Sequence, residues 1–155
     1  MNKSPEWIVL TWRLPSGSST PRVTAWRTLR RLGAVLLTPG AVAVPYTEDL
    51  LEQLEWLAQR IVESAGEAWV LPVSGLAEAD EARIRERMHA ARSEEYEDLK
   101  RRALLAARAR TRPHRNRGLL ALEHGYRAVV GRDHFRSDGR SGARRAIDRA
   151  IRGTR

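Results

Sequence analysis

The sequence predicts an α+β fold, in which a small βαββαβ module is followed by a basic helical C-terminal region. Short apolar runs alternate with amphipathic stretches up to residue 76, and residues 77–110 contain no Gly or Pro. Charge divides the chain in the same way: residues 1–76 hold 7 basic and 7 acidic residues, whereas residues 108–155 hold 14 arginines and 4 acidic residues. We therefore expect two domains, 1–76 and 77–155.

The first two predicted elements are a strand and a helix near the amino terminus. Trp7–Leu14 is rich in β-branched and aromatic residues and stops at Pro15, as a buried strand would. Thr20 before Pro21 indicates a helix start, because a hydroxyl can cap a free amide and proline suits the first helical position. The helix is expected to end at Gly33. Its predicted apolar side consists of Val23, Trp26, Leu29 and Leu32.

Four further elements complete the module. Ala34–Leu37 and Ala41–Val44 flank a Thr-Pro-Gly turn and predict a hairpin. Thr47 can cap a second helix, and Ala68–Val73 is a last strand in which Pro72 indicates an edge position. The second helix is expected to bury Leu50, Leu54, Leu57 and Ile61, with Trp56 and the first helix's Trp26 also in the core. The resulting order is the ferredoxin-like pattern.

The C-terminal region is predicted to be helical. Residues 76–110 form one long helix or two joined near Ser93, and Thr111–Gly118 is a break. A shorter helix over Leu119–Val130, a loop to Gly142 and a last helix starting at Ser141 or Gly142 follow. On that last helix the residues expected to face inward are Ala143, Ala146, Ile147, Ala150 and Ile151.

The arginine excess beyond residue 108 indicates a nucleic-acid surface, because arginine neutralises phosphates and binds them with two parallel hydrogen bonds. A solvated face and a surface for an acidic protein partner are the alternatives. We expect DNA to be contacted by arginines of the first helix and of two C-terminal clusters. These residues are Arg27, Arg30, Arg31, Arg108, Arg110, Arg112, Arg115, Arg117, Arg140, Arg144, Arg145, Arg149 and Arg152.

The loop before the first helix is a candidate anion site. Small hydroxyl residues and free amides at a helix start can hold an oxyanion, and an arginine adds charge. The candidate ligand is a DNA phosphate or a tetrahedral anion such as chromate or sulfate acting as an effector. The alternative is a capped helix start with nothing bound. The residues concerned are Ser16, Ser18, Ser19, Thr20 and Arg22.

Catalytic and metal-binding classes find little support in the sequence. The chain has no cysteine, which excludes disulfides and cysteine nucleophiles, and its four histidines show no ligand spacing. A metal-dependent nuclease is the alternative function. It would need carboxylates near the first strand to hold the metal ion, but Glu6 is the only acidic residue before Glu48. We expect no enzyme activity, no metal and no cofactor. No run is apolar and long enough for a signal peptide or a membrane span, so the expected location is cytoplasmic.

Several segments resemble the N-terminal domain of the chromate-resistance regulator family ChrB. The stretch Trp12–Ala34, with Leu-Pro-Ser, Arg-Val, Trp-Arg and Leu-Arg-Arg-Leu-Gly, is the most specific of them. Its Arg-Leu-Gly-Ala turn also resembles, more weakly, the C-terminal domain of PaaX-type repressors. The similarity continues through Gly40–Pro45, Leu54–Ala58, Glu94–Tyr96 and Arg132–Phe135.

The resemblance implies a DNA-binding regulator of chromate-efflux operons. Many family members also carry a second, C-terminal chromate-responsive domain, and this sequence of 155 residues ends without it. We therefore expect transcription regulation through DNA binding more than chromate sensing. A homodimer is expected as well, because ferredoxin-like modules often pair through sheets or helices, and a two-fold dimer would then match a palindromic operator.

Overall fold

The computed structural model describes residues 4–109 and 111–153, and within them four strands and five helices. In chain order they are β1 (Trp7–Arg13), α1 (Ser19–Leu32), β2 (Val35–Thr38), β3 (Ala41–Pro45), α2 (Glu48–Glu63), β4 (Glu67–Val73), α3 (Glu78–Ala107), α4 (Arg112–Gly131) and α5 (Arg140–Arg152). The chain divides into two compact units, one up to Glu86 and one from Arg87. The predicted α+β class, a βαββαβ module followed by helices, is confirmed.

The four strands form one antiparallel sheet in the order β2-β3-β1-β4. This is the strand order of the predicted ferredoxin-like module. Pro72 lies in β4 at the edge of the sheet, as predicted, where a missing backbone donor costs least. At the hairpin, Gly40 has a φ of 89°, and a Cβ there would lie 2.7 Å from the carbonyl oxygen of Trp12. Only glycine fits this turn without strain.

The first core lies between one sheet face and helices α1 and α2. Alternate β1 residues Ile8 and Leu10 are fully buried there, together with Leu54 of α2. Trp12 and Trp26 meet edge to face with ring centroids 5.5 Å apart. The four apolar α2 positions predicted from helical spacing, Leu50, Leu54, Leu57 and Ile61, are all buried.

Two predicted core residues are exposed instead. Trp56 is 63% exposed and Val23 is 49% exposed. Trp56 follows Leu54 by two positions, which places it about 200° around the helix, on the side away from the sheet. Val23 likewise precedes the buried Ala25 by two positions, so both predictions were wrong for the same angular reason.

Helix α1 begins slightly earlier than predicted. Its N-cap is Ser18, whose side chain makes no capping hydrogen bond, so Thr20 is not the cap and Pro21 is the third helical residue. Proline is tolerated there because the first amides of a helix lack internal partners. The predicted end at Gly33 is confirmed, with the left-handed backbone of a helix C-terminus.

The second unit packs the later part of α3 with α4 and α5 around a separate core. Tyr96 and Leu99 of α3, Leu122 of α4 and Ile147 of α5 are at its centre. The alternative of two helices joined near Ser93 is excluded, since α3 is continuous.

The predicted break at Thr111–Gly118 was wrong, because α4 already starts at Arg112. Pro113 falls in its first turn, where proline is tolerated. Gly118 lies inside the helix, and a Cβ at this position would come within 3.3 Å of the Ala106 side chain. The glycine therefore serves close helix packing and not a loop.

Candidate nucleic-acid interface

Helix α1 presents a compact basic patch, formed by Arg27, Arg30 and Arg31. The three side chains are exposed, because the helix buries Ala25, Leu29 and Leu32 on its other side. Within the described part of the chain, none of the three guanidinium groups lies within 4 Å of a carboxylate. Their charges are thus available to a ligand, and phosphate contact by these residues stays a prediction.

The candidate anion loop offers few free amides. The amides of Ser18 and Ser19 donate to the carbonyl oxygens of Pro15 and Gly17 at 3.3 Å and 2.9 Å. Pro21 has no amide hydrogen, and the amide of Arg22 bonds within the helix. Arg22 is exposed, as are Ser16, Ser19 and Thr20, while Ser18 is half-buried. Anion binding here remains a prediction that rests on side chains more than on the backbone.

The arginines around the turn between α3 and α4 differ in environment. Arg108, Arg112 and Arg117 are exposed. Arg115 is half-buried, and its Nη2 donates to the carbonyl oxygen of Ala109 at 2.8 Å. Arg115 therefore closes the turn, whereas its neighbours extend into solvent. Arg110, also predicted to contact DNA, lies outside the described residues.

The arginines of helix α5 also differ in their environment. Arg145, Arg149 and Arg152 are exposed, as expected from the amphipathic pattern, and Arg140 is half-buried. Arg144 is only 32% exposed in its side chain and contacts two carboxylates, with Nη2 2.5 Å from both Glu123 and Asp148. Its guanidinium also lies over the ring of Tyr126, 5.2 Å from the centroid. Arg144 thus joins α4 to α5, and its charge is already compensated.

A buried polar cluster, which sequence reasoning missed, joins two segments of the second unit. The hydroxyl of Tyr96 donates to Asp133 at 2.8 Å, and Arg132 binds Glu95 at 2.7 Å. Asp133, 8% exposed, also accepts hydrogen bonds from the backbone amide and the hydroxyl of Ser137. Glu95-Tyr96 and Arg132-Asp133 had been noticed only as separate motifs, and nothing in the sequence indicated that they pair.

The cluster changes the ionisation of both its buried members. Burial alone would raise the pKa of Asp133, but hydrogen bonds from Ser137 and Tyr96 outweigh it and hold that pKa below its ordinary value. Burial and the hydrogen bond to Asp133 raise the pKa of Tyr96. The pair therefore stays as a carboxylate and a neutral phenol at neutral pH.

Metal sites and membrane-spanning helices are both absent from the part of the chain that the structure describes. No group of three or more His, Cys, Asp or Glu side chains in residues 4–109 and 111–153 is arranged to hold a metal ion. Across the same residues, no helix has the length and apolar character needed to cross a membrane.

Comparison with known proteins gives a family and one relative. The family model "Protein ChrB, N-terminal" matches residues 22–103. Protein ChrB of Cupriavidus metallidurans (strain CH34) is 36% identical over 84 residues, which cover 53% of this chain and 26% of that protein. The chain thus spans about a quarter of the length of this relative. No solved structure matches.

Proposed function

This chain belongs to the ChrB N-terminal domain family, and from that premise we propose that it is a DNA-binding regulator of chromate resistance. The proposed function is to bind DNA and not to catalyse a reaction. DNA is the partner, and a homodimer reads a two-fold symmetric operator. The family supports the regulatory class, while the distribution of charge supports DNA as the ligand.

One observation carries the choice of DNA: in the part of the chain that the structure describes, exposed arginines with no carboxylate within 4 Å recur in both units. In the first unit they are Arg27, Arg30 and Arg31, and in the second they are Arg108, Arg112, Arg117, Arg145, Arg149 and Arg152. Arginine that merely aided solubility would be expected to alternate with acidic residues on the same face. Unpaired guanidinium groups are instead suited to phosphates, which accept two hydrogen bonds from one arginine.

The proposal is tested by measuring DNA affinity of the full chain as a function of salt. A labelled duplex carrying the sequence upstream of the chain's own gene is titrated and followed by fluorescence anisotropy. Each phosphate neutralised should contribute about −0.9 to the slope of log K against log salt. Replacing Arg30 and Arg31 with alanine should make that slope shallower by up to about 1.8.

Arg13→Ala is the matched control for the double variant. Arg13 is an exposed arginine of the same unit, but its Nη2 lies 3.0 Å from Glu67 and its charge is compensated. We expect the control to keep the slope of the unchanged chain. An equal change in both variants, or a slope near zero for the unchanged chain, would contradict the proposal. Unlabelled bulk DNA should compete, as it would not for a surface that binds only an acidic protein.

The candidate effector site belongs to the same proposal. If chromate or sulfate binds the loop containing Ser16 and Arg22, either anion should lower DNA affinity more than chloride at equal ionic strength, because binding at two coupled sites is reciprocal. If the loop holds a DNA phosphate, Arg22→Ala weakens DNA binding and the anions act only through ionic strength. Calorimetry with each anion and anisotropy with Arg22→Ala separate the two.

A further inference from the structure

A cleft of about 560 Å³ lies in the second unit, between the end of α4 and the start of α5. Four arginines line it, together with Tyr126 and Asp138: Arg136, Arg140, Arg144 and Arg145. The pattern of helical spacing could not reveal this grouping, since Arg136 lies in the loop and the other three lie on the helix that follows.

The charges of the cleft are unevenly compensated. Arg144 is held by Glu123 and Asp148, and these two carboxylates more than compensate its charge. For Arg136, Arg140 and Arg145, no carboxylate lies within 4 Å among the residues that the structure describes. Arg140 is close enough to the buried Asp133 to help lower the pKa of that carboxyl, so Arg136 and Arg145 are the least compensated cations of the cleft. Four arginines and one carboxylate, Asp138, line it.

The loop that forms the cleft is held in an unusual backbone conformation. Arg136 has a φ of 51°, in the left-handed region that arginine seldom adopts. Ser137, beside it, is fixed by hydrogen bonds to Asp133 and lies 3.1 Å from His89 Nδ1. Gly139 has a φ of 93°, and a Cβ there would come within 3.2 Å of Tyr96 Cβ. Local strain that the surroundings enforce is concentrated at functional sites.

We propose that this cleft binds a small phosphate-bearing molecule. Guanidinium groups match the geometry of phosphate oxygens, and several of them around one cleft provide a dianion with more charge than one exposed arginine does. The volume lies within the range of pockets for small ligands, about 300–1,000 Å³.

The test is isothermal calorimetry of the full chain without DNA, with inorganic phosphate, pyrophosphate and adenosine monophosphate as the probes. We expect saturable heat with at least one of them at constant ionic strength. Arg140→Ala should weaken that binding by about tenfold or more, since it removes a charge-assisted bidentate contact. Arg127→Ala is the matched control, because Arg127 is an exposed arginine of the same unit that does not line the cleft. It should leave the affinity within about twofold.

Two outcomes would overturn this inference without touching the proposed function. The first is the absence of saturable heat with all three probes, and the second is an equal loss of probe affinity in Arg140→Ala and Arg127→Ala. DNA anisotropy on the same variants identifies the source of the phosphate. If only duplex binding falls in Arg140→Ala while no probe binds, the cleft holds a backbone phosphate and the small-molecule site is wrong.

Discussion

Arg144 and Arg145 are adjacent in the chain, yet their surroundings give them different roles. Arg144 shares its guanidinium between Glu123, Asp148 and the ring of Tyr126, whereas Arg145 is exposed. The difference follows from helical geometry, which turns one of two neighbouring residues toward α4 and the other toward solvent. An arginine count cannot distinguish a residue that joins two helices from one that is available to a ligand.

Arg144→Ala should lower the free energy of unfolding by about 1–2 kcal/mol, because it breaks charge-assisted hydrogen bonds that leave two carboxylates without their partner. Arg145→Ala should change it by less than about 0.5 kcal/mol, as is usual for an exposed residue. Urea denaturation at neutral pH measures both. Equal values for the two variants would show that the Glu123–Arg144–Asp148 group contributes nothing to stability.

Asp133 should make the stability of the second unit depend on acid. Its pKa is lower in the folded chain than in the unfolded one, so its contribution is present at neutral pH and is lost as the pH falls below about 4. Asp133→Asn should lower the free energy of unfolding by about 2 kcal/mol at neutral pH. It should also make that free energy fall less steeply as the pH is lowered. Urea unfolding followed by circular dichroism, from about pH 3 to about pH 7, measures the free energy of unfolding of both chains.

Asp138→Asn is the control for that change, since Asp138 belongs to the same loop and is exposed. Its acid dependence should match that of the unchanged chain. An equal loss of stability at low pH in Asp133→Asn and in the unchanged chain would contradict the assigned role of Asp133.

At the scale of single elements, α2 shows how much helical spacing alone can predict. Thr47 caps it, with its Oγ1 accepting a hydrogen bond from the amide of Leu50 at 3.0 Å, as the sequence indicated. The apolar stripe was also predictable, because four aliphatic residues share one face. Trp56 was not, since a large aromatic residue on the opposite face looks like core when only its character is considered.

Leu54 and Trp56 provide a paired test on this helix. Leu54→Ala should lower the free energy of unfolding of the first unit by about 2–5 kcal/mol, because it leaves a cavity at a fully buried position. Trp56→Ala should cost less than about 0.5 kcal/mol despite the larger volume removed, because the ring is mostly in solvent. Urea unfolding followed by tryptophan emission gives both values. A larger loss for Trp56→Ala than for Leu54→Ala would contradict the burial of α2 described above.

The sequence was less informative about where the C-terminal helices begin. Proline and glycine near residues 113 and 118 indicated a break, but the first is tolerated in the opening turn of α4 and the second allows close packing on Ala106. The pairing of Tyr96 with Asp133 was equally hidden, because contacts between residues distant in the chain leave no periodic signal. Local preference predicted the type of these elements, and tertiary packing decided their bounds.

For the molecule as a whole, the division into two units implies that the first can fold alone. Every residue of the core between the sheet and helices α1 and α2 lies between Ile8 and Ile61, well inside the unit that ends at Glu86. The domain boundary expected at residue 76 stays a prediction.

A chain that ends at Glu86 should therefore unfold cooperatively in urea. It should also bind DNA more weakly than the full chain by orders of magnitude, because it lacks the arginines beyond residue 108 and each lost phosphate contact reduces counterion release. Tryptophan emission measures its unfolding and anisotropy its DNA affinity. Undiminished affinity in the shortened chain would mean that the C-terminal arginines are not the electrostatic surface for DNA.

All five tryptophans, Trp7, Trp12, Trp26, Trp56 and Trp69, belong to the first unit. Indole emission excited selectively is therefore a spectroscopic label for that unit alone, without any engineered probe. Circular dichroism follows the helices of both units, so a transition that circular dichroism records and indole emission does not would belong to the second unit. One unchanged sample can thus show whether the two units melt at the same temperature or at different ones.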